Sequence, residues 1–322
     1  MGRAPLLDHK LRNNLQSLGL LATLGLLLGC LAWILGGASF AWMILVGMLL
    51  LYAINPAGSP RLVLSLYRAR PIRYDEAPKL YAILAELALR AGIDSLPRLY
   101  YLPTSVMTAF TTGSRDQAAI ALSDGVLRRL DLREVAAVLA HELSHVANED
   151  IRVMSFADLV SRLTGLLSLA GQVLLIVSIP LVLLGAGLPP LIPLVLLLAA
   201  PWISALVQLA LSRSRELEAD RSAVELTCDP EGLASALIKL ERMQGAFWEQ
   251  IVMPGRRNPN PSLLRTHPPT EERLRQLMEL VPGRGRATLQ MPWSMIGMHH
   301  PLDYPGLVPR RRPRWRASGL WY

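Results

Sequence analysis

The chain has 322 residues, enough for one large or two ordinary domains. Its hydrophobic fraction of 52% and mean hydropathy of +0.32 are high for a soluble protein, and its net charge of +8 comes without a recognised nucleic-acid motif. The two cysteines, Cys30 and Cys228, lack the paired spacing of a cysteine zinc site and leave no structural disulfide to be expected.

Residues 1–14 form a short basic lead containing Arg3, Lys10 and Arg12. No Asp, Glu, Lys or Arg occurs between Arg12 and Arg61, nor between Arg162 and Leu211. Each uncharged block is a little under about 50 residues, room for two membrane-spanning helices of roughly 20 residues apiece. In the first, Gly36–Ser39 separates Leu15–Leu35 from Phe40–Ile54; in the second, Gly185–Pro190 separates Leu163–Leu184 from Leu191–Leu211. The pattern reads as two helical hairpins, 15–55 and 156–211, with Pro180, Pro193 and Pro201 expected to kink or shift the second. A cleaved signal peptide would not be followed so closely by a second apolar run. A channel or transporter would want ionisable residues inside the spans, and these blocks hold none.

The basic residues set the expected orientation. Arg61, Arg68, Arg70 and Arg73 follow the first hairpin, Arg152 and Arg162 precede the second, and Arg213, Arg215 and Arg221 follow it. Neither hairpin tip is charged, so both termini and the hydrophilic sequence are expected in the cytoplasm, against an anionic leaflet.

Between the hairpins, residues 61–155 read as the first part of a polar domain. Leu80, Ile83, Leu84 and Leu87 give Glu76–Ala91 a helical apolar face, and Gly92 is a natural stop. Arg98–Leu102, Met107–Thr112 and Gln117–Leu122 are strand-like, with Gly113–Asp116 as a turn. An exposed edge of such a sheet could take up an extended polypeptide as a further strand. Asp124 is expected to cap or precede a short helix, Val126–Leu130. Asp131 is expected to cap the next helix, with Glu134 completing a capping box.

That next helix carries His141-Glu142-Leu143-Ser144-His145. Histidines four residues apart stack on one helix face and can reach one zinc ion. Glu142 lies about 100° round the helix and suits a base for the attacking water rather than a ligand. A peptidase zinc needs a third protein ligand. No histidine lies between His145 and His267, which leaves Glu216, Glu218 and Asp220, just beyond the second hairpin. Glu216 and Asp220 share a face and Glu218 lies about 200° from Glu216, so spacing does not choose among them. Residues 212–282 form the second part of the polar domain, and 283–322 a Pro/Arg/Trp-rich tail without regular period.

Taken together, His141–His145 with Asn148 and Asp150, Ser212–Asp220, Thr266–Pro269 and Glu272-Arg273-Leu274 resemble the HtpX family of membrane zinc metalloproteases. The CAAX prenyl endopeptidases are more distant relatives. The similarity covers about residues 15 to 280. The resemblance implies one zinc per subunit, held by His141, His145 and Glu216. It implies Asp220, Asp150 and Arg273 around those ligands, and His267 holding substrate or stabilising the oxyanion. Thr108, Ala109, Phe110 and Thr111 resemble the family's substrate-binding edge strand, although Thr108 stands where the family usually has Asn.

The expected fold is a mostly α integral membrane protein, with four transmembrane helices in two hairpins. A cytoplasmic α+β zincin-like metalloprotease domain with a small β-sheet would complete it. The expected function is zinc-dependent cleavage of unfolded or membrane-protein substrates in membrane-protein quality control. Prenyl-protein processing and a non-catalytic zinc-stabilised scaffold are the alternatives. No nucleic-acid partner is expected. No phosphate-binding loop of the Gly-x-x-x-x-Gly-Lys-Ser/Thr type is present, so no ATP is expected either.

Overall fold

A computed structural model describes residues 4–54, 60–185, 190–251 and 270–280. The chain divides into two compact units. One comprises residues 1–58, 148–219 and 260–273, and the other residues 59–147, 220–259 and 274–322.

The first unit is helical. Helix α1 (Ala4–Ile54) is interrupted by Gly37, whose φ of 77° and ψ of −173° lie outside helical space. Glycine adopts such a backbone without steric cost. The two halves fold back on one another: Leu24 and Leu28 pack in one cluster with Met48 and Ile44. A β-carbon on Gly29 would lie 3.4 Å from Leu45 Cδ1, whereas sixteen residues of straight helix would separate the two by about 24 Å. Helix α6 (Asp150–Leu183) and the first part of α7 (Leu191–Thr227) also belong to this unit.

The break between α6 and α7 falls where the second glycine–proline cluster lies. Pro180 and Pro201 lie inside their helices. Pro193 sits in the first turn of α7, where an amide would lack an intrahelical partner in any case. Arg152 of α6 closes the end of α1, donating to the Tyr52 carbonyl at 3.0 Å with its guanidinium 4.4 Å from the Tyr52 ring centre. Among the described residues three helices are long and apolar enough to cross a membrane: α1, α6 and α7. Leu26, Trp33, Trp42, Leu174 and Trp202 point outward on them, as lipid-facing side chains would.

The second unit is built on a four-stranded sheet, β1 (Arg70–Pro71), β2 (Arg98–Leu102), β3 (Ala109–Thr112) and β4 (Ala119–Ser123), in the order β1-β2-β4-β3. β2 and β4 run parallel, with Leu99 beside Ile120 and Tyr101 beside Leu122. β3 runs antiparallel to β4 and forms an edge, with Phe110 beside Ala121 and Thr112 beside Ala119. The period-2 alternation sends Leu99, Tyr101, Ile120 and Leu122 into the main core. Tyr100, Leu102, Ala119 and Ala121 face the other way and pack with Leu64 of α2 (Pro60–Leu66). Both faces of β4 are therefore covered, and every residue in it is buried.

Helix α3 (Pro78–Arg90) presents Leu80, Ile83, Leu84 and Leu87 to the core and ends at Gly92, φ 66°. Proline at its first position is pre-set for a helix start. Helix α4 (Asp124–Arg129) is capped by Ser123, whose hydroxyl accepts from the Val126 amide at 3.2 Å. Asp124, expected to cap or precede the helix, is instead its first residue. Its carboxylate accepts from Tyr101 at 3.0 Å and Arg128 at 2.7 Å. Burial first, and then donation to Asp124, push the Tyr101 phenol up to about 12.

Helix α5 (Leu132–Ala147) is buried nearly all round, and its alanines at 136, 137 and 140 allow close packing. Its capping box closes in both directions. The Asp131 carboxylate accepts from the Glu134 amide at 2.8 Å, and the Glu134 carboxylate from the Asp131 amide at 2.9 Å. Helix α8 (Pro230–Ile251) adds Ser235 and Lys239, both bonded to Glu134. Helix α9 (Thr270–Leu280) closes the described chain. Cys30 and Cys228 are both free thiols.

Candidate metal centre

The third and fourth turns of α5 present His141 and His145 on one face, as their spacing requires. Their Nε2 atoms lie 3.3 Å apart. The other nitrogen of His141, Nδ1, lies 3.0 Å from Asp220 Oδ1 on α7. A carboxylate in that place fixes the ring tautomer and leaves Nε2 with its lone pair for a metal. One turn before Asp220 on the same helix is Glu216. Its carboxylate and the two imidazoles bring one donor atom each to within 4.8 Å of one another.

The donor set, two imidazoles and a carboxylate, suits a catalytic zinc site with an open position. The buried carboxylate at His141 Nδ1 is the support such a site uses. The residues present therefore fit a divalent metal. Glu218 does not join the group; Asp220 faces the far side of His141.

Glu142 follows on the next helical position and is 9% exposed. Its Oε2 accepts a hydrogen bond from Thr111 Oγ1 of the edge strand at 2.8 Å. Sequence reasoning gave Thr111 a place in the edge strand but not this contact; no local pattern signals a bond spanning 31 positions. The rest of the edge segment lies alongside. Thr108 donates its amide to Ser123 Oγ at 3.0 Å, and Ala109, Phe110 and Thr111 are half-buried. On the side away from β4, β3 carries no further strand among the described residues.

The remaining expected residues divide. Arg273 approaches Glu216 Oε2 at 3.7 Å. Asp150, at the start of α6, pairs with Arg215 at 3.1 Å, with both side chains buried. Arg215 immediately precedes Glu216 in the chain. His267, with Thr266–Pro269, lies outside the described residues, as does the tail from Gly283 with His299 and His300.

A histidine pair, an adjacent glutamate and a distant acid on one centre are the parts of a metallopeptidase. Residues 75–281 match the sequence profile of peptidase family M48. The chain belongs to peptidase family M48. Two relatives, each described as a Protease HtpX homolog, match along nearly their whole length. That of Paenarthrobacter aurescens (strain TC1) is 36% identical over 297 residues, 86% of this chain and 99% of the relative. That of Methylibium petroleiphilum is 33% identical over 290 residues, 84% of this chain and 99% of the relative. The crystal structure of S. mikatae Ste24p aligns with a TM-score of 0.49 and 21% identity, over 84% of this chain and 67% of that one. This M48 peptidase is a membrane metalloprotease, and its substrates are polypeptides.

Proposed function

We propose that the metal is zinc, one per subunit, held by His141, His145 and Glu216, and that Glu142 is the catalytic base of an endopeptidase. The observation that carries this is the gathering of those three donors within 4.8 Å of one another. When bound, the metal would polarise the scissile carbonyl and bring the pKa of the attacking water to about 7.

The chain's own residues supply the rest. Glu142 accepts the water's proton and delivers it to the leaving amine. Thr111 holds the Glu142 carboxylate by the hydroxyl contact at 2.8 Å. Asp220 holds the His141 ring, and Asp150 and Arg273 brace Glu216, through Arg215 and directly. Residues Thr108 to Thr111 take the substrate as a strand added to the edge of the sheet, using main-chain hydrogen bonds that ignore sequence. His267 is the candidate for the oxyanion.

We infer four membrane crossings. The fold-back of α1 at Gly37 supports two, in 15–55, and α6 and α7 support two more, in 156–211. The basic residues flanking these spans support an active site facing the cytoplasm, in a peptidase domain made of 61–155 and 212–282. Unfolded segments near the bilayer would then be the substrates, in membrane-protein quality control and without ATP or nucleic acid. The near-complete match to relatives named as HtpX proteases favours this over prenyl-protein processing.

The test is Glu142→Gln in the full-length protein. Zinc content should stay near one per chain while cleavage of an unfolded casein-type substrate is abolished. Full cleavage by that variant would sink the mechanism. Zinc retained at full occupancy by Glu216→Ala would sink the ligand set.

A further inference from the structure

The sheet unit holds a cavity of about 490 Å³ that the peptide chemistry does not use. α2 forms one wall with Arg61 and Leu64, β2 a second with Arg98 and Tyr100, and the turn between β3 and β4 a third with Asp116. Arg61 and Arg98 are exposed and, among the described residues, neither is in an ion pair. Two guanidinium groups against one carboxylate leave the lining net positive.

We propose that this cavity seats the headgroup of an anionic phospholipid. The guanidinium forks suit phosphate oxygens. Leu64 and Tyr100 offer the glycerol and first acyl methylenes an apolar wall, which a free anion does not need. In sequence the cavity follows directly on a membrane-capable helix. Only five residues separate Ile54, the end of α1, from Pro60, the start of α2. Beside the cavity α2 ends in exposed Leu66, followed by exposed Tyr67 and Arg68, the mixture found at a membrane interface.

Occupancy would reach the edge strand. Pro60 sits so close over Gly113 that a β-carbon there would come within 2.9 Å of its Cγ. The Tyr67 ring lies 5.1 Å from that of Phe110 in β3. α2 and the residue after it thus touch the turn that follows β3 and β3 itself. A headgroup bridging Arg61 to Arg98 would hold α2 against β2 and steady the strand expected to receive substrate. Bilayer composition would then set how firmly that strand is held.

The experiment uses full-length protein in phosphatidylcholine nanodiscs with increasing phosphatidylglycerol, reading hydrogen exchange at amides 113–118. Exchange in the wild type should slow as the anionic lipid rises. In Arg61→Ala/Arg98→Ala the concentration needed should rise by about fivefold per arginine, while its melting temperature in pure phosphatidylcholine stays that of the wild type. Asp116→Asn should lower the concentration needed. The proposal is overturned if anionic lipid leaves these amides unchanged, if the double variant is protected like the wild type, or if inorganic phosphate in phosphatidylcholine discs gives the same protection alone.

Discussion

His141 Nδ1 lies 3.0 Å from Asp220 Oδ1, on the ring edge opposite the one that meets His145. In the proposed metal centre Asp220 would act through its neighbour. Asp220→Ala should weaken metal binding by about 10–100-fold, read by competition with a chelator on the purified protein. Asp220→Asn can still accept through its amide oxygen and should fall between that variant and the wild type. Wild-type affinity in both variants would remove Asp220 from this role.

Thr111 and Glu142 make a second such pair, one on the edge strand and one on the helix, 2.8 Å apart. Thr111→Val keeps the shape and loses the hydroxyl. A hydrogen bond to a charged group contributes about 1.5–3 kcal/mol, so kcat should fall about tenfold or more with KM little changed. Thr111→Ser should restore most of it. A rise in KM alone would place Thr111 with substrate binding and leave Glu142 held by something else.

Much of this centre was legible because its signals are local. The i, i+4 histidines and the Asp131–Glu134 capping box each lie within one or two helical turns, and both form as their spacing requires. The apolar blocks and their glycine breaks announced the long helices for the same reason. What escaped is long-range. Glu216 and Asp220 share a helix face, so periodicity alone could not separate them. Their different neighbours, the imidazole pair for one and His141 Nδ1 for the other, lie some 70 or more positions away in the chain. β1, two residues long, carries no periodicity at all. The parallel pairing of β2 with β4, reached by passing β3 to the outside, is likewise invisible in strand patterns. Ser123, not Asp124, caps α4, while the Asp124 carboxylate accepts from Tyr101 and Arg128, a long-range contact and a local one.

Asp150 and Arg215 form an ion pair with side chains only 3% and 8% exposed. Breaking a buried pair by removing one partner costs about 3–5 kcal/mol. Asp150→Ala should lower the melting temperature of the detergent-solubilised protein by several degrees. It should also reduce zinc occupancy, since Arg215 adjoins Glu216. A double-mutant cycle with Arg215→Met should show favourable coupling between the two sites. Strict additivity would mean that the contact contributes nothing to stability.

Glu134 ties the start of α5 to α8. Its carboxylate is 2% exposed and accepts from Ser235 at 2.6 Å, Lys239 at 2.7 Å and the Asp131 amide at 2.9 Å. Burial alone would push this carboxyl up, but those three hydrogen bonds outweigh it and hold it below its ordinary value of 4.5. The unfolded chain then binds the proton more readily than the folded one. The contribution to stability is complete above about pH 4.5 and lost as pH falls through the lower folded value. Glu134→Gln has no such titration. Wild type should therefore melt at a higher temperature than Glu134→Gln near pH 7, and the gap should narrow steadily below about pH 4.5. A gap that stays constant down to pH 3 would show that the carboxylate's charge does not hold the helix start in place.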